Sequence, residues 1–195
     1  MSKGQKTRLD ILNVACQMAS EVGLLGLTIG HLAKRASLSK SGLYAHFSSK
    51  EKLQIDVIDE AARQFEAAVI KPAIQKPRGL PRIEALFCLW LDWTSKKLVG
   101  GCPIIGGSIE FDDRPGAVRD RIAEHLQQLL ETVARSAELA VASGHLRKDL
   151  DAQQFAFELW SIILGFHTFA RLVDPPNARL RVNQAFQQLV AGAKP

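Results

Sequence analysis

An all-α architecture, with a three-helix head at the N-terminus and a larger helical body behind it, is what this sequence predicts. Three observations lead there. Apolar residues recur at helical spacing through nearly every segment, and no stretch alternates as a half-buried strand would. No fixed-period repeat is present. The excess positive charge is confined to the first quarter of the chain. With 195 residues, 47% of them hydrophobic, the chain can bury a core, and a disordered or collagen-like composition is excluded.

Residues 7–22 place Ile11, Ala15, Met18 and Val22 on one face, with Leu12 and Ala19 beside it, so an amphipathic helix is expected there. Gly23 stops it, and Leu24 to Leu27 form a tight apolar connector. Thr28 is a good N-cap for a second helix over 29–36, with Ile29, Leu32, Ala33 and Ala36 as its buried stripe. Residues 37–39 make a polar turn around one apolar residue, Leu38. A third short helix follows over 40–46. Ser48 and Glu51 match a capping box opening a long fourth helix, which runs to about residue 70 and ends before Pro72. Residues 71–80 are the best loop candidate.

The body continues with helices over 80–98 and 116–143, the second ended by Gly144. Between them lies a Gly- and Pro-rich loop holding a short irregular helix. Residues 151–172 are apolar almost all round, which suits a central helix or one shared with a partner. Pro175 and Pro176 break it, and a last helix covers about 177–191.

Residues 1–52 carry eight basic and three acidic side chains, while the rest carries 17 of each. A cationic head on a neutral body suits a polyanion, although such a surplus is also compatible with ordinary surface scatter. The odd count of cysteines, Cys16, Cys88 and Cys102, without a C-x-x-C pair argues against a disulfide framework or zinc knuckle. No uninterrupted apolar run reaches the roughly 18 residues of a membrane span, and the N-terminus lacks a signal-peptide core. The expected location is the cytoplasm, with no membrane partner.

Residues 28–53 are the informative stretch. Two short helices joined by a three-residue turn form a helix-turn-helix unit. Its second helix must be small and polar at its start to enter the major groove, and Ser39, Lys40, Ser41 and Gly42 meet that demand. Leu43 and Phe47 would anchor its inner face. The run S-K-x-x-L-Y-x-H-F-x-S-K-E-x-L, read here as Ser39, Lys40, Leu43, Tyr44, His46, Phe47, Ser49, Lys50, Glu51 and Leu53, resembles the TetR family of transcription regulators over residues 8–53. The segment from Gly100 to Asp120, with its EFDDRPG run, looks like one subgroup of that family.

The resemblance implies two domains, 1–52 for DNA binding and 53–195 for effector binding and dimerisation. It implies that Tyr44 and His46 donate to phosphate oxygens and that Lys50 pairs with a phosphate at the start of the fourth helix. Thr28 would cap its helix and touch phosphate, and Ser39, Lys40, Ser41 and Gly42 would face base edges. Gly30 lies where some relatives carry a guanine-reading arginine, and Gly42 replaces a common threonine or serine. Tyr44 and Phe47 also suit a plain core, Phe47 more so, and His46 a plain surface. Lys34, Arg35 and Lys52 read as a solvated fringe, and Lys3, Lys6 and Arg8 as a basic tail for the backbone or minor groove.

The resemblance also implies double-stranded DNA and a second copy of the chain as partners, the latter through the last two helices. Phe155, Leu159, Ile162, Ile163 and Phe166 offer more apolar surface than one small body hides. A small-molecule effector, apolar or aromatic, would sit among Phe87, Trp90, Trp93, Phe111, Trp160, Phe166, His167 and Phe169, which serve equally as plain core. His167 would orient a polar group of a ligand or satisfy a backbone carbonyl. No cofactor or metal is expected: Glu110, Asp112 and Asp113 suit capping or pairing with Arg114, Arg119 or Arg121 better than a cation site. Cys102, in its Gly-rich loop, suits an exposed thiol, with no close basic neighbour to activate it. An enzyme is disfavoured because no G-x-S-x-G, H-E-x-x-H, P-loop or dinucleotide motif occurs. A helical interaction module that has lost DNA binding is the remaining alternative.

Overall fold

A computed structural model describes residues 3–173 and 175–195, with Lys3 and Pro175 described by backbone alone. The described residues form α-helices, short π-helical turns and connectors, without strands. The chain divides into two compact units. One comprises the chain up to Phe65 with Lys96–His125, the other Glu66–Ser95 with Leu126–Pro195.

In the first unit, α1 (Lys3–Gly26) starts four residues earlier than its apolar stripe required. Gly23 leaves the helical conformation at φ 74°, a left-handed position that suits glycine. Val22, expected in the core, is exposed. The chain turns at Gly23, and Leu24 and Leu27 supply the burial instead. Next come α2 (Ile29–Arg35), α3 (Lys40–Tyr44) and α4 (Lys50–Phe65). The cap of α4 is Ser49, not Ser48: its hydroxyl accepts from the Lys52 N–H at 3.0 Å. Glu51 therefore falls one position short of the capping-box site, within the first turn, where its charge suits the helix dipole.

The helix does not end before Pro72. A π-helical turn (Glu66–Ile70) carries it into α5 (Lys71–Ile74). The wider turn makes room for a proline ring that would otherwise meet the carbonyl one turn back. The loop expected over 71–80 shrinks accordingly to 75–79.

α1 packs against α4 and against α7 (Pro103–Glu110), the short helix of the Gly-rich segment. Glycines permit that second approach. A Cβ on Gly100 would lie 1.5 Å from the Ser20 carbonyl oxygen, and one on Gly107 would lie 2.6 Å from the Leu24 side chain. Cys102 is buried rather than exposed, because its loop lies against α1 in this way. Burial, then the charge of Glu60, pushes the neighbouring Cys16 thiol up to about 12. The exposed cysteine is Cys88. Asp112 and Asp113 do not cap α8 (Ala117–Ala142). The Asp112 carboxylate accepts from the Asp113 N–H, and its backbone carbonyl accepts from Arg119.

The second unit holds α6 (Leu80–Asp92), which continues into a π turn (Trp93–Lys97) whose last two residues belong to the first unit, and α9 (Ala152–Thr168), which continues through another (Phe169–Val173). Asp151 caps α9, accepting from the N–H groups of Gln153 and Gln154. α9 packs on α10 (Pro175–Ala193). Phe87 of α6 stacks on Phe186 of α10 with ring centroids 3.9 Å apart, and Trp90 leans on Trp160 of α9 at 5.9 Å. The surface expected to need a partner is thus largely hidden within the chain: Phe155, Leu159, Ile163 and Phe166 are buried. Phe157, Leu172, Val173 and Leu180 are exposed instead. The segment Ala152–Val173 has the length and hydropathy of a membrane span, yet one face of it is packed against protein.

The close approach of Gly100 to α1 sets a paired expectation. Gly100→Ala forces a methyl into the backbone of α1 and costs about 3 kcal/mol or more in urea unfolding. Gly106→Ala, at a helical position with nothing within 4 Å of the added carbon, stabilises the protein by up to about 1 kcal/mol.

Candidate nucleic-acid interface

The helix-turn-helix begins as its sequence requires. Thr28 has extended backbone, and its hydroxyl accepts from the His31 N–H at 3.2 Å. α2 ends with two bonds that close a left-handed cap: Leu38 N–H to the Ala33 carbonyl at 2.9 Å and Ser37 N–H to Lys34 at 3.3 Å. Ser37, at φ 55°, takes the place usually held by glycine. This geometry turns Leu38 outward, so it is half exposed and does not plug the turn.

α3 is two residues shorter than expected, and Ser39 is its cap. The Ser39 hydroxyl accepts from the Gly42 N–H at 3.0 Å and lies 3.1 Å from the Ser41 hydroxyl. A side chain at position 42 would bring its Cβ within 3.1 Å of that capping oxygen, so Gly42 keeps the cap uncrowded. The Lys40 side chain lies back over Gly30, whose added Cβ would sit 3.5 Å from Lys40 Cε.

Leu43 and Phe47 are fully buried, whereas Tyr44 is 57% exposed, which removes the core alternative for it. His46 is half buried, its ring tilted against Phe47. Ser39, Lys40, Ser41, Tyr44 and Lys50 are all exposed. The Lys50 ammonium donates to the Leu25 carbonyl at 2.6 Å, leaving its other protons for an outside acceptor.

Several basic side chains are already engaged. Arg8 is no tail residue: it donates to Asp56 at 2.6 Å and lies 5.3 Å above the Phe47 ring. Lys52 pairs with the same Asp56 at 2.9 Å, and Arg35 makes a two-pronged pair with Glu21. The hydrogen bond from Arg35 holds the Glu21 carboxyl below its ordinary range. Lys34 and Lys40 are exposed without a carboxylate within 4 Å among the described residues. The side chain of Lys3 lies outside the described residues.

Two contacts carry no local sequence signal, because their partners lie 62 to 85 residues apart. Glu110 of α7 accepts from the Leu25 N–H at 2.8 Å. Asp59 of α4 accepts from Arg121 at 2.6 Å and sits 2.8 Å from His125, both on α8. Burial acts to raise the Asp59 carboxyl, but the bonds from Arg121 and His125 outweigh it and hold the group below the usual range.

Of the residues expected to line an effector pocket, Phe87, Trp90, Trp93, Trp160, Phe166, His167 and Phe169 fall in the second unit. Phe111 falls in the first, where it is buried. Phe166 and Phe169 border an open apolar groove of about 260 Å³ between α9 and α10, with Ile162, Gly165, Ala178 and Ala185. The Nε2 of His167 is buried without a hydrogen-bond partner among the described residues. Burial, aided by the Arg171 charge, lowers its pKa.

A capped helix pair that buries Leu43 and Phe47 while exposing a polar, cation-flanked face defines a helix-turn-helix DNA-binding protein. Residues 11–57 match the family described as bacterial regulatory proteins, tetR family. Residues 79–186, more than half of the chain, match the tetracyclin repressor-like C-terminal domain. The chain belongs to the TetR family of DNA-binding transcriptional regulators. It is similar to the transcriptional regulator RutR of Escherichia coli K12, with 27% identity over 92% of this chain and 83% of that protein. A TetR regulator from Chloroflexus aurantiacus superposes with a TM-score of 0.87 at 26% identity, covering 98% of this chain and 96% of that one. AibR, solved with isovaleryl coenzyme A and operator DNA, shares the fold with a TM-score of 0.71 at 20% identity, covering 91% of this chain and 97% of that one.

The Asp59 site predicts a pH dependence. Its carboxyl is depressed in the folded state, so its stabilising effect is present above about pH 4 and is lost as pH falls through the folded-state value. Asp59→Asn is therefore less stable than the parent at pH 7 in chemical denaturation, and the gap closes on acidification.

Proposed function

We propose that the protein is a homodimeric repressor that works in the cytoplasm and leaves its operator when a small apolar or aromatic molecule binds the body. Residues 1–52 serve DNA binding, and 53–195 serve effector binding and dimerisation. The observation that carries the DNA reading is the outward face of α3, with Ser41 and Tyr44 exposed above a fully buried Leu43. Ser39, Lys40, Ser41 and the Gly42 backbone face base edges, while Tyr44, His46 and Lys50, with Thr28, hold phosphates.

Dimerisation is supported by the exposed Phe157, Leu172, Val173 and Leu180 and by the apolar groove beside Phe169. A two-fold pair reads half-sites about 34–36 Å apart or somewhat more. An apolar effector is supported by the aromatic content of the second unit and by the unsatisfied His167 Nε2, which suits a polar group on a ligand. Such a ligand acts by its differential affinity for two head spacings, transmitted through α4.

Two measurements test this. In anisotropy titrations, Lys50→Ala weakens binding about equally on all duplexes and lowers the salt slope by about one, while Lys40→Ala changes sequence preference. The reverse pattern defeats the assignment of reader and anchor. For the dimer, spin labels at Ala45→Cys in a Cys88→Ser background report a changed inter-head distance when a ligand found by thermal-shift screening is added. Lost DNA affinity at unchanged distance rules out the spacing mechanism.

A further inference from the structure

We infer that Glu110 is a positioning residue for the phosphate-binding Lys50, acting through the Leu24–Leu27 connector beyond the Gly23 kink of α1, and that α7 thereby sets DNA affinity. The inference rests on the assignment of Lys50 to phosphate given above. The peptide group joining Leu24 and Leu25 is held at both ends. Its N–H donates to Glu110 at 2.8 Å, and its carbonyl accepts from the Gln54 side-chain amide at 2.7 Å. The next carbonyl along, that of Leu25, receives the Lys50 ammonium at 2.6 Å. One short stretch of backbone therefore meets a carboxylate from α7, an amide from α4 and the cation at the start of α4.

Gly23 is an independent sign that the connector is shaped around this carboxylate. Its φ of 74° suits glycine, and a Cβ there would lie 1.9 Å from Glu110 Oε1. The carboxylate occupies the volume that any other residue at position 23 would fill. Glu110 has no cation within 4 Å among the described residues, so the peptide N–H is its charge-assisted partner. Hydrogen bonds at opposite ends of one peptide group polarise each other, so losing the carboxylate loosens the Gln54 bond as well. With the connector free, Lys50 loses a fixed acceptor and regains its rotamers.

Leu25 and Lys50 lie in the segment matching the DNA-binding family model, and Glu110 in the segment matching the C-terminal one. All three belong to the same compact unit. A displacement of α7 by about 1 Å takes a 2.8 Å bond beyond useful range.

The test is a double-mutant cycle on the full chain, with a random-sequence duplex as probe between 50 and 200 mM salt, where phosphate contacts dominate. Glu110→Ala lowers affinity about three- to tenfold and flattens the salt dependence. Glu110→Gln, whose amide oxygen still accepts the Leu25 N–H, stays near the parent. In a Lys50→Ala background, Glu110→Ala costs nothing further. If Glu110→Ala melts early, Glu110→Asp takes its place, since it keeps the charge but withdraws the acceptor. Equal losses with and without Lys50 overturn the coupling alone. An unchanged affinity and salt slope for Lys50→Ala overturn the phosphate assignment, and the coupling with it.

Discussion

A helix of five residues does not persist by itself in water: closing its first turn fixes several dihedrals for one hydrogen bond. α3 exists because Leu43 and Phe47 are driven into the head, at 0% and 1% exposure, while Ser39 satisfies the Gly42 N–H at its start. Everything proposed for the DNA interface depends on that burial. It decides which side of the helix faces outward, and so it presents Ser41 and Tyr44. Arg8 completes the arrangement by lying over the Phe47 ring while paired with Asp56. A cation that looked available to DNA is instead engaged within the head.

The same economy runs through the head's electrostatics. A surplus of five positive charges in residues 1–52 suggests a broad attractive field. Local pairing narrows it, because Arg8, Arg35 and Lys52 each face a carboxylate. The largely exposed Arg35–Glu21 pair adds little stability, but all three pairings direct where charge remains. Lys34 and Lys40, without a carboxylate partner among the described residues, and the tethered Lys50 lie on α2, α3 and α4, the elements that form and follow the helix-turn-helix.

The first unit also draws in segments distant in sequence. α7 packs on α1 through Gly100 and Gly107, and α8 is tied to α4 through the Asp59 site. The head is thus not the bare N-terminal quarter of the chain: residues from the segment matching the C-terminal family model complete its packing. In a regulator, this is the physical condition for one segment to influence another, since a contact that contributes to packing can also be withdrawn.

Helical periodicity, the Thr28 cap, the break at Gly23 and the inward-facing Leu43 and Phe47 were legible in the sequence. Each depends on residues within a turn or two of one another, and such short-range preferences act before any tertiary contact forms. The motif through Ser39, Tyr44, His46 and Lys50 was legible for the same reason. What tertiary structure decided is where side chains go once several elements compete for them. It paired Arg8 with Asp56, brought Arg121 and His125 to Asp59 and brought Glu110 to Leu25. Those outcomes depend on close approaches between segments up to 85 residues apart, and local patterning holds no information about them.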